Sequence, residues 1–248
     1  MLKINTFFTQ AFFLIVASLV ANTIHASDDL HQPFTDVLSE SVTNGQVNYK
    51  TINENPKFAS YLETLKEKAT FENQDEELAY WINAYNALVI QGILNGGSPS
   101  SFFSRMRFFK KDKYQVNGLS ISLFEIEHEV ILPLGEPRIH FAINCASSSC
   151  PKLTTQAYSA ENLDEELTQA AKYFINDTMR NHFDKAMNIA SISKIFDWFK
   201  SDFTNHSGTV EKYIAQYVND ENVAKDLSEG NYKTKYLKYD WSLNGTGP

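Results

Sequence analysis

Apolar positions fall at helical spacing along most of the chain and alternate only over short stretches. The strongest helical pattern covers residues 75–94 and is apolar nearly all round, so it predicts a central, buried helix. Asp75, Glu76 and Glu77 occupy its first turn, where the helix dipole favours anions. Asn95-Gly96-Gly97 and then Pro99 stop it. Phe58, Tyr61, Leu62 and Leu65 predict another helix over 57–69. Ser122 and Glu125 have capping-box spacing and open a helix to about residue 132, ended by Pro133 and Gly135. Ser159 is placed to cap a helix over 160–176 with Leu163, Leu167, Ala170 and Phe174 on its buried stripe. Phe196, Phe199 and Phe203 mark a later helix, and Val210, Tyr213, Ile214 and Tyr217 another.

Strand signals are fewer. Tyr114, Val116, Leu119 and Ile121 flank Asn117-Gly118 and predict a hairpin. Residues 138–145 alternate strictly and predict a strand. Ile139, Phe141, Ile143 and Cys145 would share one face; Arg138, His140, Ala142 and Asn144 would share the other. Residues 187–193 predict a second strand, and the aromatic tail over 236–243 predicts a last one. Helices outnumber strands and no βαβ rhythm appears. The pattern therefore predicts an α+β fold: a helix-rich single domain around a central buried helix with a small β-sheet.

The N-terminus changes the picture. Lys3 precedes an apolar run over residues 11–21, and Ile24-His25-Ala26 offers a cut before Ser27. That is the layout of a secretory signal peptide, and the run is too short to stay as an anchor. The expectation is a signal peptide over 1–26 and one globular domain over 27–248, periplasmic or secreted, with no stable membrane anchor. The whole chain has 248 residues and a net charge of −8; removing 26 residues and one lysine leaves 222 residues at −9. That charge argues against a nucleic-acid partner, because phosphate binding needs a basic face. Two cysteines cannot make a disulfide scaffold.

Candidate chemistry gathers around the cysteines. His128, His140 and Cys145 fall within 18 residues. A thiolate nucleophile needs a nearby base or cation, and a group to orient it. Cys145 is the candidate nucleophile, His140 or His128 the base, and Glu127 the orienter. Asn144 and the backbone of Ser147, Ser148 and Ser149 are candidate oxyanion donors. On a straight strand His140 and Cys145 point to opposite faces, so they meet only if the chain turns. The alternative is a Cys145–Cys150 disulfide closing a four-residue loop, which an oxidising compartment favours; inert buried thiols are a third reading. A disulfide-shaped loop would present Arg138, His140 and Asn144 to an anionic small molecule or peptide in a non-catalytic binding module. Asn83 and Asn86 lie three apart on the central helix; they either hydrogen-bond loop backbone or touch a ligand. The Cys-x4-Cys spacing with one nearby histidine does not fit a metal site, and no cofactor motif is present. Lys110-Lys111-Asp112-Lys113 is a short basic patch beside the hairpin.

Several blocks carry a family resemblance. They are Tyr80-Trp81-Ile82-Asn83-Ala84-Tyr85-Asn86-Ala87-Leu88, Ile126-Glu127-His128, Pro137 through Ser147, and Ser149-Cys150-Pro151. Ile195-Phe196-Asp197-Trp198-Phe199, Asp202-Phe203 and Tyr239-Asp240-Trp241-Ser242-Leu243-Asn244 follow. Over residues 45–244 the chain resembles the domain of unknown function 547 family, whose bacterial members often carry export signals. The resemblance implies no particular activity, although its blocks contain Glu127, His128, His140 and Cys145. The function read from the residues is an exported thiol-dependent hydrolase or acyl transferase, with the binding module as its rival.

Overall fold

The structure, a computed structural model, describes residues 23–247. The apolar run over residues 11–21, and with it most of the expected signal segment, lies outside the described residues. The central helix is Gln74–Leu94, and every residue from 78 to 90 is buried. Asn73 caps it by accepting the Glu76 N–H at 2.9 Å, and the three acids predicted for its first turn are there. An all-round apolar surface demands neighbours on every side. Helix Asp28–Ser41 and helix Pro56–Thr64 form part of that jacket, locked together by the stacked rings of Phe34 and Tyr61 at 5.0 Å.

About 52% of the chain is helical and 14% is strand, a single α+β domain. The described residues hold four small sheets rather than one. The Tyr114–Val116 and Leu119–Ile121 hairpin forms as its Asn-Gly turn predicts, with Asn117 and Gly118 both at positive φ. Ile189–Ile192 pairs antiparallel with His182–Asp184 and parallel with Lys233–Tyr236. Thr23–His25 pairs with Lys68–Thr70, so a cut before Ser27 would remove a strand from the described fold.

One predicted strand is overturned. Pro137 opens a 3-10 helix, Pro137–Phe141, and the chain then bends through residues 142–150. Proline suits a first helical position, and Glu136 caps the turn by accepting the Arg138 N–H at 2.9 Å. The alternation misled because this stretch is buried on both its apolar and its polar positions: His140 and Asn144 are as deep as Ile139 and Phe141. The segment runs between two hydrophobic cores. Ile139, Ala142 and Ile143 belong to the core around the central helix. Phe141 belongs to a second core with Phe174, Phe196, Phe203 and Tyr213.

Candidate functional site

A cavity of about 500 Å³ opens where the two cores meet. Tyr85 and Ile143 line it from the first core, Ile195 and Phe199 from the second. Cys145, Cys150, Glu127 and His140 all face it. The bend after Phe141 removes the geometric objection to His140 and Cys145 sharing a site.

Ala146, next to Cys145, sits at φ 59°, a left-handed conformation that costs an L-residue about 1–2 kcal/mol. The Asn144 side chain offsets that strain by accepting the Ala146 N–H at 2.7 Å. The turn brings Ser147 Oγ back to 3.0 Å from Cys145 Sγ, and Tyr239 OH lies 3.2 Å from the same sulfur. Burial alone would raise the Cys145 thiol, but its contacts with Cys150, Ser147 and Tyr239 outweigh burial and bring it down to about 7. Both cysteines are free thiols, and the Cys145 N–H donates to Cys150 Sγ at 2.7 Å. Burial and the neighbouring Cys145 push the Cys150 thiol up. The pair is thus split into one acidic and one inert thiol.

Glu127 enters from a widened, π-type turn, Ile126–Ile131, in which the Leu132 N–H reaches back five residues to the Glu127 carbonyl. Its carboxyl accepts from Tyr85 OH at 3.3 Å. Burial, then the nearby Cys145, raise Glu127 to about 7. It orients no histidine, so that expected role is corrected. His140 Nε2 bonds Asp202 Oδ2 at 2.8 Å, and its ring stacks on Phe199 at 3.9 Å. Burial holds the His140 pKa below its ordinary value despite Asp202, so the ring is neutral at pH 7 and donates Nε2–H to the carboxylate.

Other expected roles do not survive. His128 is exposed, stacks on Phe124 at 3.9 Å and bonds the Phe124 carbonyl through Nδ1, outside the cavity. No histidine nitrogen hydrogen-bonds the Cys145 sulfur among the described residues. Asn144 is no oxyanion donor: its Nδ2 donates to the Pro151 carbonyl at 2.6 Å, and its Oδ1 also accepts from Asn244. Two of the three serine N–H groups are closed for that purpose too, while the Ser147 N–H is directed at the Cys145 sulfur. The Ser148 and Ser149 N–H groups donate to the carbonyls of Ser242 and Asp240 in the tail. Arg138 is tied to Glu136 by two bonds at 2.8 and 2.7 Å and to Asp164 at 2.8 Å, so no guanidinium is offered to a ligand. Asn83 and Asn86 bind backbone: Asn83 clasps Tyr158, and Asn86 links the Ala142 carbonyl to the Asn144 N–H.

Four residues outside the candidate set complete the arrangement: Tyr85 and Tyr239 line the cavity, Asp202 bonds His140 from behind its wall, and Arg180 holds the loop. Arg180 clamps the loop through the carbonyls of Ser148 and Cys150 at 2.7–2.9 Å. Asp202 and Tyr239 sit in the later family-like blocks, and that was the only signal for them.

Residues 69–175 match the family described as Protein of unknown function, DUF547. Over those residues the chain belongs to the DUF547 family. The match spans Glu127, His140, Cys145 and Cys150 but stops short of Asp202 and Tyr239, and is narrower than the 45–244 span of the resemblance. No curated protein and no solved structure matches this DUF547 member.

Proposed function

We propose that the protein is a thiol-dependent hydrolase or acyl transferase acting on a substrate with an apolar acyl or aryl group. The observation carrying this reading is that Cys145 and Glu127, both brought to about 7 by their surroundings, face one aromatic cavity with His140, whose ring bonds Asp202. In this scheme the Cys145 thiol gives its proton to the Glu127 carboxylate. The thiolate attacks the acyl carbon and the leaving group takes the proton back from Glu127. Water, or an acceptor nucleophile, then releases the acyl group from sulfur and restores the thiol. His140, its tautomer fixed by Asp202, supplies a neutral ring on the cavity wall to accept a proton from the entering water. We also propose that the protein acts outside the cytoplasm, on the strength of its N-terminal sequence; a small molecule is the expected partner.

A binding module remains the rival, favoured by the absence of a histidine bond to the sulfur among the described residues and by the tail's hold on the Ser148 and Ser149 N–H groups. Any ligand would then lie in the aromatic cavity and not against Arg138 or Asn144.

Iodoacetamide labelling as a function of pH separates the two. Cys145 labels with a midpoint near 7 and Cys150 stays unlabelled in the folded protein. Cys145→Ala abolishes turnover of short-chain acyl esters or thioesters. A labelling midpoint at the ordinary thiol value of about 8.5, or Cys145→Ala with undiminished turnover, would sink the hydrolase reading. A periplasmic sample in which the two cysteines are bonded would do so as well.

A further inference from the structure

The helical stretch formed by Phe102–Arg105 and Met106–Lys111 has two opposed faces. Phe108 anchors it, 1% exposed, with Phe109 edge-on against it at 4.8 Å. On the solvent side Phe102 is 64%, Phe103 83% and Met106 37% exposed. Phe102 and Phe103 are in mutual edge contact at 5.6 Å and form one apolar patch. A contiguous exposed apolar patch rimmed by polar residues is the mark of an interaction surface.

The charge beside the patch is opposite to that of the molecule. Arg105, Arg107, Lys110, Lys111 and Lys113 face two acids, Asp112 and Glu125, a local charge of +3 in a chain of −8. Asp112 pairs with Arg107, and Glu125 pairs with Lys113. Arg105, Lys110 and Lys111 have no carboxylate partner among the described residues. Arg105 and Lys110 rest over the rings of Trp241 and Phe124 at 4.3 and 3.9 Å, which holds them at the cavity mouth. A basic rim around protruding aromatics is the arrangement of an element that lies in a bilayer interface. The apolar patch and the cavity are also continuous, since Phe102 and Met106 belong to the patch and line the cavity.

We propose that Phe102–Lys111 docks the protein on an anionic lipid surface, with Phe102, Phe103 and Met106 in the interface and Arg105, Lys110 and Lys111 against headgroup phosphates. The cavity then opens toward the membrane and receives the apolar part of an amphiphile from it. That second step rests on the thiol-hydrolase reading; the docking does not.

The test is co-sedimentation of the full protein with vesicles of phosphatidylglycerol and phosphatidylcholine, against vesicles of phosphatidylcholine alone. Three cations without a carboxylate partner, of which Arg105 also donates to the Pro99 carbonyl at 3.0 Å, give a preference on the order of 100-fold for the anionic vesicles, weakened by salt. Phe103→Ser and Lys111→Glu, at exposed positions outside the cavity lining, each lower vesicle binding about 10-fold or more. Cys145→Ala binds vesicles as the wild type does, so loss of its turnover reports on the chemistry and loss of vesicle binding on the docking. Equal binding to both vesicle types, or undiminished binding by Phe103→Ser, overturns the proposal. So does a polyglutamate column that retains the wild type when anionic vesicles do not, which would assign the face to an acidic protein. A dimer abolished by Phe103→Ser without any vesicle binding overturns it as well, in favour of a second copy.

Discussion

Glu127 and Cys145 illustrate how two ordinary side chains acquire unusual acidity from their position. Glu127 is raised from a carboxylate's usual value to about 7, first by burial and then by the adjacent sulfur. A carboxyl whose folded pKa is raised binds its proton more tightly when folded. Its contribution to stability is therefore favourable at low pH and is lost as pH rises between about 4.5 and 7. The loss amounts to roughly 1–3 kcal/mol. Glu127→Gln removes it. Urea unfolding at pH 5 and pH 7.5 is expected to show the wild type weakening relative to Glu127→Gln; parallel behaviour of the two proteins would contradict the burial of this carboxyl. In the sequence Glu127 was legible as a candidate, but its role was not. The spacing that places Glu127 off the Glu125–His128 face says nothing about Tyr85 meeting it from another helix.

At the scale of elements, the central helix was legible almost to the residue, because its signals are local: acids at the start, a Gly-Gly stop, an apolar surface all round. Its two buried asparagines act at long range. Asn86 holds the Ala142 carbonyl and the Asn144 N–H, 56 and 58 residues away, and so fixes the bend that carries Cys145. Asn86→Ala leaves both backbone groups unsatisfied in the core and is expected to cost about 2–4 kcal/mol, measured by urea unfolding. The same variant loses the acidic shift of Cys145, seen as a later labelling midpoint; a midpoint still near 7 would mean that the bend holds itself. The predicted strand over 138–145 failed for a related reason. Alternation identifies a strand only when one face is wet, and here the polar positions His140 and Asn144 are buried too, while Ile139 and Phe141 of the one predicted face go to different cores.

On the scale of the molecule, the loop carrying the cysteines is held by parts of the chain nearly a hundred residues distant. Leu243 bridges to Ser147, Tyr239 reaches the Cys145 sulfur, and Asn244 bonds both Tyr49 and Asn144. The tail is thus a strap across the site. Ending the chain at Tyr236 removes those contacts while sparing the strand Lys233–Tyr236. That truncation is expected to raise the Cys145 labelling midpoint by about one pH unit or more toward the free-thiol value of about 8.5. The second core should persist, with its unfolding transition retained in urea. An unchanged midpoint would show that Ser147 and Cys150 suffice.

The sequence by itself determined the helix-rich α+β class, the central helix, the Asn-Gly hairpin, the Ser122 cap and the stretch that holds the thiols. Each follows from interactions within about ten residues. Tertiary structure alone decided which polar residues face the cavity and which merely hold the frame. Arg138, Asn83, Asn86 and Asn144 look available in a linear reading and are saturated by backbone, acids or amides, with Asp164, Tyr158, Ala142 and Asn244 among the partners far along the chain. Asp202 and Tyr239 look unremarkable and supply the partners of His140 and Cys145. A side chain's chemistry depends on what removes water from it and what bonds it. In this protein both are set by the meeting of two cores and a C-terminal strap.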